Sequence, residues 1–493
     1  MLPDNYESVA QSVVATNFFG NNVLQAITTR NYWDVVNDYK PLMHTWYVGL
    51  LMQFYVVVPL MLFIMGRMAQ NADKRRKVFV WAMALIGLAS LFLYLISSND
   101  AQKFYYLPFR LYEFCTGAFV FYIFTKNKAE SLIRMKWNYI LAIAYIAIIL
   151  LLFVNVDLFS KTARLLMTVG LTALLMALMP RVNMASGNVF SNKRIADIGA
   201  ASFSIFVWHQ VVFALTRYSF TSKLTDFLPL LVVMLLTALL SVLSYRYVEK
   251  MKQTRRAWMI TGILLVLTTG ASLFVYSQAG VVRDVPELDV VKGVVHRGMW
   301  AEYCDRAYKY DKEFSDSDKP KWYVIGNSFG RDFVNIILES SVADSVEVVY
   351  SYIKTYKDKQ ERFAKADVVF LSSLGVDEEI INEVRSLCTN KSKFYIIGEK
   401  NFGENNGQIY RHRFDRDFHK MTIRMEKGYA EKNERLKALY PDCYVDMIAK
   451  VQYPDGSVRV FSDDGRFISQ DCRHLTKAGA QYYAKMMNWE SFY

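Results

Sequence analysis

The stretch Trp322-Tyr323-Val324-Ile325-Gly326-Asn327-Ser328 decides how the second half of this chain folds. Its apolar residues lead into a glycine-containing turn and then a segment with helical periodicity, which predicts a buried strand followed directly by a helix. Short apolar runs and amphipathic stretches alternate in the same way downstream, and this alternation predicts a parallel sheet covered by helices on both faces. The predicted strands are 322–326, 346–352, 367–373, 393–398 and 443–447, and the predicted helices are 329–340, 377–388, 418–439 and 475–488.

The first half of the chain has a different character. The sequence of 493 residues is 53% hydrophobic, and that content is concentrated before residue 277. Runs long enough to cross a bilayer occupy 46–65, 77–97, 104–124, 137–154, 162–180, 201–218, 226–246 and 257–277. We therefore predict a polytopic α-helical membrane bundle over 1–277, a polar linker over 278–320, and a soluble three-layer α/β domain over 321–493.

The distribution of positive charge predicts the orientation of the chain. A net charge of +12 gives no reason to expect a nucleic-acid partner, because much of the basic charge lies in short loops between spans. The alternate loops are less basic. The positive-inside rule then places the basic loops in the cytoplasm and the domain over 321–493 outside. The basic clusters are Arg67–Lys77, Lys126–Lys136, Arg181–Arg194 and Arg246–Arg256.

The same rule places the N-terminus outside. A chain that begins outside normally needs a preceding signal or span, and the segment Tyr6–Ala26 is too polar to be predicted as one. Either one helix has been miscounted or an N-terminal portion is missing. We favour the second alternative and expect further helices before Met1.

A candidate catalytic set lies at the two ends of the exported domain. Ser328 follows the first predicted strand and precedes a helix whose backbone N–H groups can stabilise an oxyanion. Asp471 and His474 lie three residues apart, so one turn can present the imidazole to a serine while the carboxylate orients it. Taken singly, such residues are more often structural: Ser328 could be a helix cap and Asp471 a solvated loop residue. Their combination favours a nucleophile, a general base and an orienting carboxylate.

Gly326-Asn327-Ser328 with Asp471-Cys472-Arg473-His474 resembles the SGNH/GDSL hydrolases, whose first block is usually Gly-Asp-Ser. The resemblance implies a flavodoxin-like fold and the catalytic set Ser328, His474 and Asp471. The Gly-x-Asn-Asp block of that family has no match, since the equivalent strand ends at Leu371–Gly375. Its asparagine normally donates to the oxyanion. Asn401 or Asn405 could compensate, although turn formation is the alternative role.

The remaining histidines and the cysteines of the exported domain give weaker signals. His412 and His419 lie among arginines and acids, and no second ligand cluster has suitable spacing, so we interpret them as surface residues and expect no metal. The five cysteines include Cys115 in a predicted span. Disulfides are permitted in an exported domain. A Cys304–Cys472 bridge would fix the linker against the Asp471–His474 loop, and free buried thiols are an equal alternative.

Polar side chains also occur within the predicted spans, where they are costly and usually face an interior path. His44 and Trp46 precede one apolar run, Arg110 and Glu113 lie in another, and His209 follows Trp208 in a third. Interfacial anchoring is the alternative role for His44 and Trp208. For Arg110 and Glu113 the alternative is an i,i+3 ion pair that only stabilises a helix.

Together these segments resemble the acyltransferase-3 family of bacterial membrane O-acyltransferases, over nearly all of 1–277. The family pattern is visible as PLMHTWYVGLLMQFY from Pro41 to Tyr55, as Val207-Trp208-His209, and as the ending Tyr245–Glu249. Leu51 and Met52 replace the paired glutamates of that pattern. Members usually begin with earlier helices that bear an arginine and a histidine, and this chain starts after the equivalent point.

The resemblance implies an acyl-CoA donor, most simply acetyl-CoA, on the cytoplasmic side of a bacterial inner membrane. Residues His44, Trp46, Arg110, Glu113 and His209 would line the acyl or substrate path, and the exported serine would pass the acyl group to a surface polysaccharide. Fusion of such a bundle to an exported SGNH domain is a known family arrangement. Alternatives are a membrane-anchored carbohydrate acetyl-esterase, an inactive truncated family member, and a carbohydrate transporter that does not depend on Ser328.

Overall fold

The computed structural model describes residues 1–29, 35–68, 71–126, 134–153, 160–178, 192–219, 226–293 and 299–493. The chain divides into two compact units. The membrane unit comprises Gln11–Thr216 and Leu224–Gly270, and the α/β unit comprises Met1–Ala10, Arg217–Lys223 and Ala271–Tyr493. The α/β unit therefore includes short segments that precede the stretch expected to form it.

The first half of the chain is helical throughout the part that the structure describes. Four helical segments there are long and apolar enough to cross a membrane: Met43–Ile64, Lys74–Ile96, Phe227–Glu249 and Arg255–Ser277. A pair bent by 60°, Lys193–Ala200 and Ser202–Ser219, adds a fifth if the two helices form one span. The helices are α1 (Pro3–Asn17), α2 (Asn21–Thr28), α3 (Trp46–Met68), α4 (Ala72–Ile96), α5 (Asp100–Tyr105), α6 (Leu111–Lys126), α7 (Arg134–Phe153), α8 (Lys161–Leu178), α9 (Lys193–Ala200), α10 (Ser202–Ser219), α11 (Phe227–Ser244) and α12 (Arg255–Ser277).

Among the described residues, not all of the eight predicted spans are helices long enough to cross a membrane. The apolar stretches Leu111–Phe121, Ile140–Leu151 and Thr162–Leu178 are helical but shorter than the four spanning segments. The predicted run 104–124 is not one helix, because α5 ends at Tyr105 and a 3₁₀ turn over Leu107–Phe109 precedes α6. Pro108 explains the break, since proline has no N–H to continue a helix and favours an extended residue before it.

The polar residues of the N-terminal segment form buried hydrogen bonds within the membrane unit. Asn21 and Asn22 of α2 are fully buried. The Asn21 amide donates to the Leu42 carbonyl and to Thr45 Oγ1, both at 2.8 Å. Asn22 exchanges hydrogen bonds with Gln53 of α3. Because these buried amides have partners, they hold α2 to the start and middle of α3 rather than opposing burial.

The α/β unit contains the predicted parallel sheet. Its five strands pair in the order β2-β1-β3-β4-β6, all parallel, as predicted from the alternation of apolar runs and helices. The strands are β1 (Lys321–Gly326), β2 (Glu347–Tyr352), β3 (Val368–Ser372), β4 (Lys393–Ile397), β5 (Thr422–Arg424), β6 (Tyr444–Val445) and β7 (Ser457–Arg459). The helices are α13 (Met299–Asp305), α14 (Ser328–Leu338), α15 (Gln360–Lys365), α16 (Glu378–Leu387), α17 (Gly407–Tyr410), α18 (Tyr429–Leu439) and α19 (Lys477–Met486).

The central strand β1 is buried on both faces. Its residues Trp322, Tyr323, Val324 and Ile325 have no exposed surface, and they alternate between two apolar cores. Trp322 belongs to the core that contains α14, and Tyr323 packs its ring 5.1 Å from that of Phe363 in α15. The run is continuously apolar because both faces of a central parallel strand are buried.

The predicted helix 418–439 is wrong in its first half. β5 occupies Thr422–Arg424 and pairs antiparallel with β7. Helix α18 begins only at Tyr429, after Gly428 with φ +92°. The partner strand lies more than thirty residues downstream, so a local pattern could not have revealed the pairing. Tertiary contact overrides helical propensity here.

The predicted linker contributes to the α/β core. Val281, Val285, Leu288 and Val290 are buried and pack with Phe461 and other apolar residues of the unit. The stretch also contains α13.

All five cysteines are free thiols, so the preferred Cys304–Cys472 bridge is not formed. Both residues are buried, and the Cys472 thiol donates to Asn406 Oδ1 at 3.1 Å, which matches the alternative of free buried thiols.

Replacement of Gly326 by alanine is expected to destabilise the α/β unit. A Cβ atom at Gly326 would lie 1.8 Å from the Ser372 backbone oxygen of β3, so a strand would have to move. We expect the free energy of unfolding to fall by about 3 kcal/mol, as measured by denaturant unfolding of the purified chain in detergent. Gly117→Ala in α6 is the matched control, because an added Cβ there meets nothing within 4 Å. Equal stabilities of the two variants would contradict this packing.

Candidate functional site

Ser328 is the first residue of α14, directly after β1. The turn before it is held by Asn327, whose Oδ1 accepts from the N–H groups of Phe329 at 3.0 Å and Leu374 at 3.1 Å. The Asn327 amide nitrogen donates to the Leu374 carbonyl at 3.1 Å. A carboxylate could not make this last bond, since it has no hydrogen to donate. An asparagine therefore fits this position, where the resembling family usually has aspartate.

Asp471 and His474 form the predicted pair. Asp471 Oδ2 accepts from His474 Nδ1 at 2.6 Å, and its Oδ1 accepts from the backbone N–H groups of Arg473 at 3.0 Å and His474 at 2.7 Å. A protonated Nδ1 leaves Nε2 available as a base. The carboxylate thus fixes both the ring orientation and the tautomer that a serine nucleophile requires.

The two charges adjust each other's protonation. Burial alone would raise the pKa of Asp471, but His474 and the N–H donors lower it to about 2. Burial alone would lower the pKa of His474, and the Asp471 carboxylate more than offsets this, so the pKa is raised above 6.5. The carboxylate is ionised across the physiological range. His474 becomes a free base only as the pH rises above its elevated pKa.

The structure brings Ser328 and His474 into one neighbourhood. The ring of Phe329, the residue after Ser328, lies 6.2 Å from the His474 ring. The backbone N–H of Leu475, the residue after His474, donates to Asp332 of α14 at 3.1 Å. Within the part of the chain that the structure describes, the Ser328 hydroxyl makes no hydrogen bond. Ser328 and the Asp471–His474 pair therefore both lie near the start of α14, and their joint role in catalysis stays a prediction.

Asn401 and Asn405, the two candidate substitutes for the oxyanion donor, both make turn contacts instead. Asn401 Oδ1 accepts from the Gly403 N–H at 2.9 Å, and Asn405 Oδ1 accepts from the Gly407 N–H at 2.7 Å. Both are turn contacts across two residues, so the alternative role in turn formation is confirmed. His412 pairs with Asp415 at 2.7 Å near the surface, and His419 is more than half exposed.

Sequence reasoning missed a second charged pair beside this site. Lys400 Nζ lies 2.7 Å from Asp332 Oδ2, and both side chains are buried. The Lys400 ammonium also lies 3.9 Å from the centre of the Phe329 ring. The available signal was weak: Asp332 is an acid on a helix whose buried residues are mostly apolar.

In the membrane unit, His44 and His209 are neighbours. Their ring centres lie 5.1 Å apart. His44 Nε2 donates to the Val207 carbonyl at 3.1 Å, and His209 Nδ1 donates to the Phe206 carbonyl at 2.6 Å. His44 Nδ1 is buried and has no hydrogen-bond partner among the described residues. The two predicted histidines thus belong to one cluster, with a nitrogen left available.

Arg110, Glu113 and Trp46 form an adjacent group. Arg110 pairs with Glu113 at 3.1 Å, and its guanidinium lies 5.8 Å from the centre of the Trp46 ring. Tyr47 links this group to the histidines, since its ring lies 5.8 Å from Trp46 and 6.4 Å from Phe206. Arg110 Nε is buried without a partner in the described ranges. The predicted membrane residues therefore lie together within the membrane unit.

The ending Tyr245–Glu249 is a π-helical turn at the end of α11. Glu249 accepts a short hydrogen bond from Ser204 of α10. π-Helical turns are rare and occur frequently at functional sites. The contact ties the end of α11 to the start of the helix that carries His209.

Fold and site together describe a chain with several helices of membrane-spanning length and an α/β unit in which Ser328 lies near the Asp471–His474 pair. Residues 8–246 match the family model described as an acyltransferase domain. The match covers just under half of the chain and supports an acyltransferase as the enzyme class. No solved structure matches the chain significantly.

Curated relatives with similar sequences are O-acetyltransferases by name. A putative O-acetyltransferase of Staphylococcus aureus is 23% identical over 257 residues, which are 50% of this chain and 42% of that protein. Peptidoglycan O-acetyltransferase OatA of Listeria monocytogenes is 20% identical over 255 residues, 50% of this chain and 41% of the relative. O-acetyltransferase OatA of S. aureus is 22% identical over 233 residues, 44% and 38% of the two chains. The matched regions span about two fifths of these relatives.

Asp471→Asn is expected to slow the reaction of Ser328 with a fluorophosphonate probe by about 10³- to 10⁴-fold. Asparagine preserves the geometry but no longer holds His474 in the tautomer with a free Nε2. The measurement is the rate of covalent labelling of the full chain, with Ser328→Ala as the blank. Asp415→Asn is the matched control, because Asp415 makes the same carboxylate–imidazole contact to His412 near the surface. Equal labelling rates of the two variants would show that Asp471 does not assist the reaction of Ser328.

Proposed function

We propose that the chain is a membrane O-acyltransferase that moves an acyl group, most simply acetyl, from a cytoplasmic acyl-CoA to a hydroxyl of a surface or exported polysaccharide. One observation carries the proposal: an acyltransferase domain over 8–246 is joined to an α/β unit in which Asp471 holds His474 beside the helix that begins at Ser328. The names of the relatives support acetyl as the group and, in one case, a cell-wall glycan as the acceptor.

The membrane cluster suits the delivery end of an acyl path. Basic residues lie in the last turn of α3, at Arg67, and at the end of α6, at Lys126, so the positive-inside rule places the starts of α3 and α6 outside. His44, Trp46 and Arg110 would then lie near the outer end of the bundle. His44 Nδ1 and Arg110 Nε, which have no hydrogen-bond partner among the described residues, fit a site that receives a polar acyl group. The α/β unit would lie on the same outer side.

The α/β site supports transfer in two steps. His474 Nε2 takes the proton of the Ser328 hydroxyl as its oxygen attacks the acyl carbonyl carbon, and returns that proton to the departing group. An acceptor hydroxyl then gives its proton to His474 and attacks the acyl-serine, which restores the Ser328 hydroxyl and leaves the ester on the sugar. Asp471 stabilises the imidazolium formed in each step, and the start of α14 supplies backbone dipoles for the developing oxyanion.

A carbohydrate acetyl-esterase is the second candidate, and one observation favours it. The side chains of His474 and Asp471 are 27% and 39% exposed, so water can reach the pair. Water would then accept the acyl group in place of a sugar hydroxyl. The size of the acyltransferase domain, which exceeds what a membrane anchor requires, favours transfer.

Ser328→Ala is expected to reduce O-acetylation of surface polysaccharide to background in cells expressing the chain, because the acyl-serine cannot form. The readout is ester-bound acetate released from purified glycan. Ser340→Ala is the matched control, since Ser340 lies just beyond the other end of α14 and bonds only locally. Undiminished acetylation with Ser328→Ala would exclude the serine as transfer nucleophile. Expression that lowers glycan acetylation through Ser328 would favour the esterase.

The Arg110–Glu113 pair tests whether the membrane cluster does more than stabilise a helix. Arg110→Gln or Glu113→Gln alone is expected to lower the free energy of unfolding by about 2 kcal/mol, because the remaining charge is left unpaired in a poorly solvated place. The double variant should recover most of that stability but not glycan acetylation. Arg459→Gln with Asp463→Asn removes an exposed i,i+4 pair as a control. Full acetylation by the Arg110/Glu113 double variant would leave this pair a structural role only.

A further inference from the structure

A buried charged pair lies directly beside the candidate serine and histidine. Asp332 is on α14, one helical turn after Ser328, and Lys400 follows β4. The Lys400 ammonium and the Asp332 carboxylate are 2.7 Å apart, and each side chain is only 3% exposed. Burial of two charges is energetically unfavourable even when they are paired. An apolar pair of the same size would fill the space, so the presence of these charges requires an explanation.

The same carboxylate oxygen also binds the histidine loop. Asp332 Oδ2 accepts from Lys400 Nζ and, at 3.1 Å, from the backbone N–H of Leu475, the residue after His474. Lys400 adds a contact of 3.9 Å to the ring of Phe329, the residue after Ser328. The pair therefore joins three elements: the helix that starts at Ser328, the loop that carries His474, and the segment after β4.

We propose that Asp332 and Lys400 are positioning residues that hold the His474 loop against the first turns of α14. Asp332 anchors the loop through its bond to Leu475, and Lys400 supplies an opposite charge 2.7 Å from that buried carboxylate. Neither residue needs to touch the substrate. The inference rests on the proposed role of Ser328 and His474, and it extends that role to a buried pair outside the sequence motifs.

The pair also acts on His474 through charge. The charged groups that act on this imidazole are Asp471, Asp332, Lys400 and Asp4. Asp332 raises the pKa of His474 and Lys400 lowers it. Removal of one charge should therefore move the protonation of His474 in one direction, and removal of the other should move it in the opposite direction.

Asp4 has to be controlled in any such measurement. Burial and the nearby Asp471 carboxylate raise the pKa of Asp4 to about 7, so Asp4 changes its own charge in the range where His474 is examined. All variants are therefore compared in an Asp4→Asn background as well as in the natural chain. Agreement of the shifts in the two backgrounds assigns them to Asp332 and Lys400.

The experiment measures the rate of fluorophosphonate labelling of Ser328 in the full detergent-solubilised chain as a function of pH. The labelling rate rises with pH as His474 loses its proton, and the midpoint reports its pKa. We expect Asp332→Asn to lower the midpoint and Lys400→Met to raise it, each by about one half to one pH unit. Each single variant should also reduce the plateau rate about tenfold. Glu339→Gln, which removes the pair with Arg306 beyond the far end of α14, should change neither quantity.

The double variant Asp332→Leu/Lys400→Met leaves no unpaired charge in the buried site. It can therefore still be measured if a single variant fails to fold. Its plateau rate should fall about tenfold because the bond to Leu475 is lost. A plateau equal to that of the unmodified chain, or single-variant midpoints that shift in the same direction or not at all, would overturn the inference. If the unmodified chain is not labelled at Ser328, the proposed role of that serine fails first.

Discussion

The approach of β1 to β3 at the Gly326–Asn327 turn is the constraint on which the α/β site depends. The Ser372 carbonyl oxygen occupies the space that a side chain on Gly326 would need. Asn327 then binds both backbone groups of Leu374, so the end of β1 is fixed to the segment after β3. Because α14 begins at the next residue, the position of the Ser328 hydroxyl follows directly from this strand contact. Reactive groups gather at such strand ends because the backbone there is held by the sheet on one side and opens to solvent on the other.

The other half of the site depends on the loop from Asp471 to Leu475. Backbone N–H groups of that loop donate to two carboxylates, Asp471 within the loop and Asp332 on α14. The positive φ of Cys472, +72°, allows the chain to turn back so that Asp471 reaches His474. Asp471 thus holds the loop in its shape, and Asp332 attaches the loop to α14. A histidine held in this way has few alternative orientations, which is what a general base requires.

Local patterns explain why much of this arrangement was predictable. The strand β1 and the start of α14 follow from a continuous apolar run and a glycine turn, and the Asp471–His474 contact follows from a spacing of three residues. The Asp332–Lys400 contact joins residues far apart in the chain, and no local pattern specifies it. The same limit explains the error over 418–439, where β5 pairs with a distant strand. The break before α6 was visible in Pro108, but the apolar character of the run obscured it.

In the membrane unit, the sequence motifs indicated His44, Arg110 and His209 separately, and only the folded structure shows that His44 lies beside His209 and that Arg110 lies beside Trp46.

The two clusters differ in a way that suits sequential handling of an acyl group. The membrane cluster is rich in aromatic rings and contains two buried nitrogen atoms that have no partner among the described residues, an environment that would shield a reactive acyl group from water. In the α/β unit the Asp471–His474 pair is partly exposed, as it must be if the acceptor is a large polymer that cannot enter a closed pocket. Exposure also admits water, so the ratio of transfer to hydrolysis depends on how well the acceptor displaces water when it binds. Selectivity for transfer would therefore come from acceptor binding rather than from the serine, histidine and aspartate, whose chemistry is the same in both reactions.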